Sequence, residues 1–309
     1  MGSVFACPMY TLGTALFLGC VAIGALVGML ILLRQLRLLR EREAPSSAAP
    51  EPAAPGYGLV RQIRVGRLHQ QGRRDYQQDT FGLSDEKMID THGLLAVVAD
   101  GMGGLAESER VSVAAVETIL DQFALSQGQG EADALLVGLA AAAEQRVNEL
   151  LGPEELGKSG STLTMGLIRN SFLHFLGIGD SRICLLRGGV LIQLNREHIY
   201  SNELALRAVN GELSAQDAFT DPLGGGLISY LGMGRLRSLD LPAQALRLFP
   251  GDKVVLMSDG VYNALEEEEL TALLSGEPQA AAERLCSAIE AKQFSNQDNY
   301  TAVILECLS

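Results

Sequence analysis

The chain has no tryptophan, and its aromatic content is only 5%. Its four histidines, His69, His92, His174 and His198, are scattered, and so are its five cysteines, Cys7, Cys20, Cys184, Cys286 and Cys307. Neither set has the close pairs that a zinc site needs or the density of a disulfide framework. Sparse cysteines of this kind suit a reducing compartment, with Cys184 and Cys286 as small core residues. Basic residues are in deficit too: 24 Lys and Arg stand against 37 Asp and Glu, a net charge of −13. Nucleic acid is therefore excluded as a partner, because phosphate backbones are gripped by clustered cations. No internal repeat is present. The 47% of hydrophobic residues is ample for a packed core in 309 residues.

Charge is also missing from the start of the chain, where no charged side chain precedes Arg34. After a short segment, 1–9, residues 10–33 contain the apolar run TLGTALFLGCVAIGALVGMLILL, long enough to cross a bilayer of about 30 Å. A signal peptide would want a basic start and a shorter run, and the FLGC at a lipoprotein-like position is followed by more of the same apolar span. Arg34, Arg37, Arg40 and Arg42 flank only the C-terminal side, which predicts a single-pass helix in the inner (cytoplasmic) membrane with everything beyond it in the cytoplasm. Cys20, Gly24 and Gly28 would let two such helices approach, giving at most a weak homodimer; the plainer explanation is that glycine is common in membrane helices. Residues 34–58 join this basic flank to a Pro/Ala-rich linker, and a soluble domain is expected over 59–309.

In that domain short β-rich runs occur at 59–66, 94–99, 162–168, 172–178, 182–187, 253–257 and 301–306. Amphipathic stretches at 107–124, 131–151 and 278–292 predict helices. Strands arriving in consecutive groups favour antiparallel pairing with helices packed outside, an α+β fold.

Acids recur where these strands begin or stop. Asp100 follows LLAVVA, Asp180 sits in GIGDSR, Asp259 follows KVVLMS, and Asp298 precedes NYTAVIL. One such aspartate is an ordinary turn residue. Four of them, brought to one rim of a sandwich, would cost several kcal/mol per buried charge unless compensated. Hard oxygen donors point to Mg²⁺ or Mn²⁺ as the compensation. The glycines of DGMGG then leave room for metal-bound waters, and the Gly101 carbonyl can itself be a ligand. Such a site suits metal-assisted hydrolysis. In GRRDYQQDTFG, Arg74 offers a fork for phosphate and Asp79 an acceptor for water, while Arg73 reads as a solvated surface charge.

Taken in order, RDYQQD, VADGMGG, SGSTLT, GIGDSRICLL, GDKVVLMSDGV and NQDNYTAVIL resemble the metal-dependent protein phosphatase family, also called protein phosphatase 2C or the PPM type, in its bacterial serine/threonine form. The resemblance covers the domain from about residue 59 to the end and implies an αββα sandwich of two antiparallel sheets flanked by helices. It implies two divalent cations, Mn²⁺ or Mg²⁺, bridged by Asp100, with the Gly101 carbonyl on one and Asp259 and Asp298 on the other. Asp180 would belong to a third, weaker position. Arg74 would bind the substrate phosphate, and Gln78 and Asp79 would contact the waters around the ions. A water or hydroxide bridging the ions would attack phosphorus in line. Residues 196–234 resemble the family's flap, and Gly224 to Gly226 imply that it moves. Gln78 replaces an acid common in the family, and Met102 a histidine that eukaryotic members can use as general acid. The implied partners are phosphorylated proteins, substrates of a bacterial serine/threonine kinase. The competing reading is a catalytically weak or inactive phosphoprotein-binding scaffold. Gln78 is its main support, and retention of all five aspartates and Arg74 opposes it.

Overall fold

The computed structural model describes residues 58–103, 107–126, 128 and 130–309. The expected membrane helix at 10–33, the segment before it, and all but the last residue of the 34–58 linker lie outside the described residues, as does Gly104. Among the described residues no helix is long and apolar enough to cross a membrane.

Beginning at the N-terminal end, β1 (Gln62–Gln70) and β2 (Asp79–Leu83) precede a one-turn helix, α1 (Ile89–His92), and the strand β3 (Leu94–Met102). Two long helices follow, α2 (Glu107–Leu125) and α3 (Ala132–Glu155). The expected stop near residue 151 is real: Gly152 has a positive φ of 65°, which interrupts α3, and Pro153 starts a further turn. Next come β4 (Gly160–Ser161), β5 (Leu163–Arg169), β6 (Phe172–Ile178), β7 (Arg182–Arg187) and β8 (Val190–Gln193). The flap contains α4 (Tyr200–Val209) and α5 (Ala215–Thr220). The last group is β9 (Leu246–Arg247), β10 (Lys253–Met257), α6 (Asp259–Tyr262), α7 (Glu267–Leu273), α8 (Pro278–Lys292) and β11 (Tyr300–Leu308).

The strands form two sheets, one ordered β1-β11-β10-β7-β8 and the other β2-β3-β5-β6-β9, with β4 beside β3. Every pairing between them is antiparallel. In β3, alternate residues serve different layers. Leu94, Ala96 and Val98 meet Ile183, Val254, Leu256 and Val303 between the sheets. Leu95, Val97 and Ala99 pack with Val111, Ile119, Leu136 and Leu139 of α2 and α3. On the far side Val255, Ala302 and Ile304 pack against Leu270, Leu285 and Ile289 of α7 and α8. Strands covered on both faces lose the apolar/polar alternation, which is why these read as continuous apolar runs. The expected αββα layering is therefore observed.

Antiparallel order brings the end of one strand beside the start of its neighbour. Asp79, the first residue of β2, faces Asp100 near the end of β3. In the other sheet the end of β10 lies beside the start of β11. Two of the flap glycines are built into the fold: Gly224 and Gly226 offer their carbonyls to the backbone N–H groups of Ser201 and Tyr200, at the start of α4.

Candidate active site

Asp100 is held through its backbone. Its N–H donates to Thr162 Oγ1 at 3.0 Å, and Thr162 Oγ1 in turn lies 2.8 Å from Ser181 Oγ. Desolvation pushes the Asp100 carboxyl well above the usual range, and repulsion from Asp79, Asp259, Asp180 and Asp298 adds to it. The strand-end acids thus converge on one rim.

Asp79 is 2% exposed. Its Oδ2 accepts from Ser258 Oγ at 2.6 Å, while the buried Oδ1 has no hydrogen-bond partner. Burial raises its pKa to about 7. Asp180 lies between β6 and β7 as expected, with its carbonyl accepting from Tyr262 OH at 3.1 Å. The Tyr262 ring carries the Arg182 guanidinium 3.6 Å above it, and Arg182 is fixed by Glu197 at 2.6 Å. Desolvation and Asp259 raise the Asp180 carboxyl to about 6.

Asp259 does not simply end its strand. β10 stops at Met257, and Asp259 is the first residue of α6, where Asn263 Nδ2 donates to its Oδ2 at 3.1 Å. Its carboxyl is raised by desolvation and then by Asp298, while a hydrogen bond with Asp100 opposes the rise. Asp298 is paired with Arg74, Nη2 to Oδ2 at 2.5 Å. The expected phosphate fork and an expected metal ligand are therefore adjacent at the mouth of the rim. An open cleft of about 340 Å³ lies there, lined by Arg74, Asp259, Gly260, Asn263, Gln297 and Asp298.

One expectation needs correction. Gly101 was expected to leave space for waters, but a Cβ there would lie 2.4 Å from the carbonyl oxygen of Ser108 and 2.8 Å from that of Gln78. The missing side chain is replaced by protein backbone, and Gly101 N–H donates to the Gln78 carbonyl at 3.0 Å. Gln78 also accepts from Ser112 Oγ at 2.6 Å through that carbonyl. Its backbone is thus part of the scaffold under the DGMGG turn.

The residue that sequence reasoning missed is Asn299, which is 3% exposed. Its Nδ2 donates to the carbonyls of Gln71 and Tyr76, and its Oδ1 accepts from Gln78 N–H at 2.8 Å. Asn299 therefore clamps the segment carrying Arg74 and Asp79 against the one carrying Asp298. Its position beside Asp298 in NQDNY was the available signal.

Among the described residues, no three His, Cys, Asp or Glu side chains close tightly on one point. Carboxylates spread along a rim suit hard cations that keep several of their own waters, each held by one or two acids. The buried, unpartnered Asp79 Oδ1 and the mutual repulsion of the acids mark a donor set short of positive charge. The residues fit divalent cations.

Two antiparallel sheets between helical layers, with an acidic rim and an arginine at its mouth, define a hydrolase of the αββα type. The family profile described as protein phosphatase 2C matches residues 65–297. The chain belongs to this family and is a PPM-type protein-serine/threonine phosphatase. It is 27% identical over 240 residues to the serine/threonine phosphatase stp of Listeria monocytogenes, covering 75% of this chain and 91% of that one. Its fold is similar to PppA, a key regulatory component of T6SS in Pseudomonas aeruginosa, at 27% identity and a TM-score of 0.65, over 81% of this chain and 100% of that one. It is also similar to the catalytic domain of the phosphatase PstP in complex with two manganese ions, at 25% identity and a TM-score of 0.64, over 82% of this chain and all of that one.

Proposed function

We propose that the chain is a metal-dependent phosphoserine/phosphothreonine phosphatase, tethered to the inner membrane through residues 10–33, with its domain in the cytoplasm. The observation that carries the metal dependence is the convergence of Asp79, Asp100, Asp180, Asp259 and Asp298, whose carboxyls repel one another at a single rim. Asp100, the Gly101 carbonyl, Asp259 and Asp298 would hold two divalent cations, and Asp180 a third. When bound, such cations supply an activated water and neutralise phosphate charge.

The remaining roles fall to the chain's own groups. Arg74 stands at the mouth with a planar fork that matches two phosphate oxygens, which orients a phosphomonoester toward the rim. Asp79 presents Oδ1 as an acceptor while Ser258 holds Oδ2, so the carboxylate has one oxygen fixed and one available. Tyr262 and the Arg182–Glu197 pair fix the turn that carries Asp180.

Bacterial relatives named as serine/threonine phosphatases support phosphoproteins as substrates, and an opposing kinase as the source of the phosphate. An anchor would concentrate the activity near membrane-bound kinases or secretion and envelope machinery. The test is hydrolysis of a phosphothreonine peptide with Mn²⁺, with Mg²⁺ and with chelator. Turnover is expected with metal and absent with chelator, and Asp259→Asn should lose it. Folded protein that is inactive with every metal would instead favour the binding module.

A further inference from the structure

The chain enters its described domain at the end of the sandwich opposite the rim. Gly58 lies against Pro250, where a Cβ would stand 3.4 Å from the ring. From there β1 runs from Gln62, paired with Leu308, to Gln70, paired with Tyr300 close to Asp298. A nine-residue strand separates these two ends by about 26 Å.

Two tight reversals shape the entry end. Asn170–Ser171, between β5 and β6, and Gly188–Gly189, between β7 and β8, have positive φ at both residues, the geometry of two-residue hairpin turns. They leave Phe172 and Val190 at the tips, 38% and 59% exposed, and Leu59 nearby is 61% exposed. Single exposed apolar residues are ordinary. These three belong to one connected surface. Val60, next to Leu59, donates its N–H to Ser171 Oγ at 3.0 Å, and Phe172 is the cross-strand partner of Arg247. Arg187 Nη2 donates to the Arg247 carbonyl at 2.8 Å, and Val190 is the partner of Arg187. Both guanidinium groups lie over the Phe249 ring, at 4.8 and 5.6 Å from its centroid.

The charge of this surface departs from that of the chain, which carries −13 overall. Arg61 and Arg247 are exposed and Arg187 is half-buried. Asp252 beside them is buried and bound to Arg187 at 2.6 Å. Glu306 is paired with Arg64 at 3.1 Å, while Glu86 and Asp90 line a neighbouring cleft of about 450 Å³ together with Arg61 and Arg64. Apolar tips among arginines match the boundary of an anionic bilayer, where apolar side chains enter the headgroup layer and guanidinium groups meet phosphate.

We infer that the end of the sandwich where the chain enters, with Leu59, Phe172 and Val190 among Arg61, Arg187 and Arg247, rests on an anionic phospholipid surface and so turns the acidic rim away from the membrane. The inference rests on the reading of residues 10–33 as a membrane anchor, whose tether reaches the domain at this end. The rim then opens about 26 Å from the lipid, where phosphorylated segments of other proteins can reach it.

The absence of tryptophan supplies the test. Full-length chain carrying Phe172→Trp, Val190→Trp or, on the flap, Phe219→Trp is reconstituted into vesicles whose acyl chains are brominated close to the headgroup. One set of vesicles is phosphatidylcholine alone and the other includes phosphatidylglycerol. Flotation reads the anchor, and tryptophan quenching reads the docked face. All variants should float with both vesicles. With phosphatidylglycerol, the Phe172→Trp and Val190→Trp signals should fall by about half or more, as side chains at the acyl boundary would, and Phe219→Trp should keep its signal. Adding Arg61→Glu and Arg247→Glu, or raising salt from about 0.15 M to about 1 M, should abolish most of that quenching. Floating chain with unquenched tips, quenching equal in both vesicles and indifferent to charge reversal, or quenching at Phe219→Trp instead would overturn the inference while leaving the anchor standing. Chain that floats with neither vesicle would remove the anchor and the docking with it.

Discussion

Replacing Asp100 by Asn should make the metal-free protein more stable while reducing turnover by about 10³-fold, the scale for losing a central electrostatic group. The stabilising half follows from the crowding of carboxyls. Desolvation and four neighbouring aspartates raise Asp100, Asp79 sits at about 7 and Asp180 at about 6, against an ordinary value of 3.8. Native carboxyls with raised pKa values hold protons that the unfolded chain releases. Their contribution is therefore fully present below about pH 4 and is lost as pH rises through 6 and 7. Metal-free protein should melt at a lower temperature at pH 8 than at pH 5.5. Asp100→Asn should flatten that slope and raise the melting temperature at pH 8, because it removes a carboxyl whose charged form burial and its neighbours disfavour. Thermal denaturation in chelator at both pH values measures this directly. A variant that melts lower than its parent at pH 8 would show that Asp100 is not under the repulsion described.

The second large effect concerns a residue with no chemistry of its own. A Cβ on Gly260 would lie 1.9 Å from the Asn299 carbonyl oxygen and 2.9 Å from its carbon, both backbone atoms that cannot rotate away. Gly260 follows Asp259, and its carbonyl accepts from Gln297 Nε2 at 2.9 Å. The close approach of these two backbones therefore sets the distance between Asp259 and Asp298. Gly260→Ala should cost about 3 kcal/mol, the upper end for overpacking, and weaken metal binding at least about ten-fold. A denaturant titration and a metal titration on the same preparation separate the two losses. A variant within about 0.5 kcal/mol of the parent, the range of ordinary surface changes, would mean that the contact relaxes freely.

The aspartates were legible because each interrupts a continuous apolar run, and such interruptions survive in a single sequence. The long helices and central strands were legible for the same reason. Asn299, Ser258 and Thr162 were not, since their importance comes from partners distant in the sequence, such as Asp100 for Thr162, 62 positions away. Asn299, for example, joins Gln71 across 228 residues. The strand β2 was missed because it is five residues long and begins on a candidate site acid. The flap helices were missed because α4 and α5 are short, with Leu204 and Ala218 as their buried residues. The room expected beside Gly101 was misread: the sequence marks a glycine but cannot say whether water or backbone occupies the space beside it.

The central claim is that the converged acids form a two-ion site. Calorimetric titration of Mn²⁺ into the metal-free protein tests it most directly. The account predicts two ions bound per chain, as in the manganese complex of the similar PstP domain, with binding lost in Asp100→Asn and weakened in Asp259→Asn. Saturation without binding heat, or a stoichiometry unchanged by both substitutions, would contradict it.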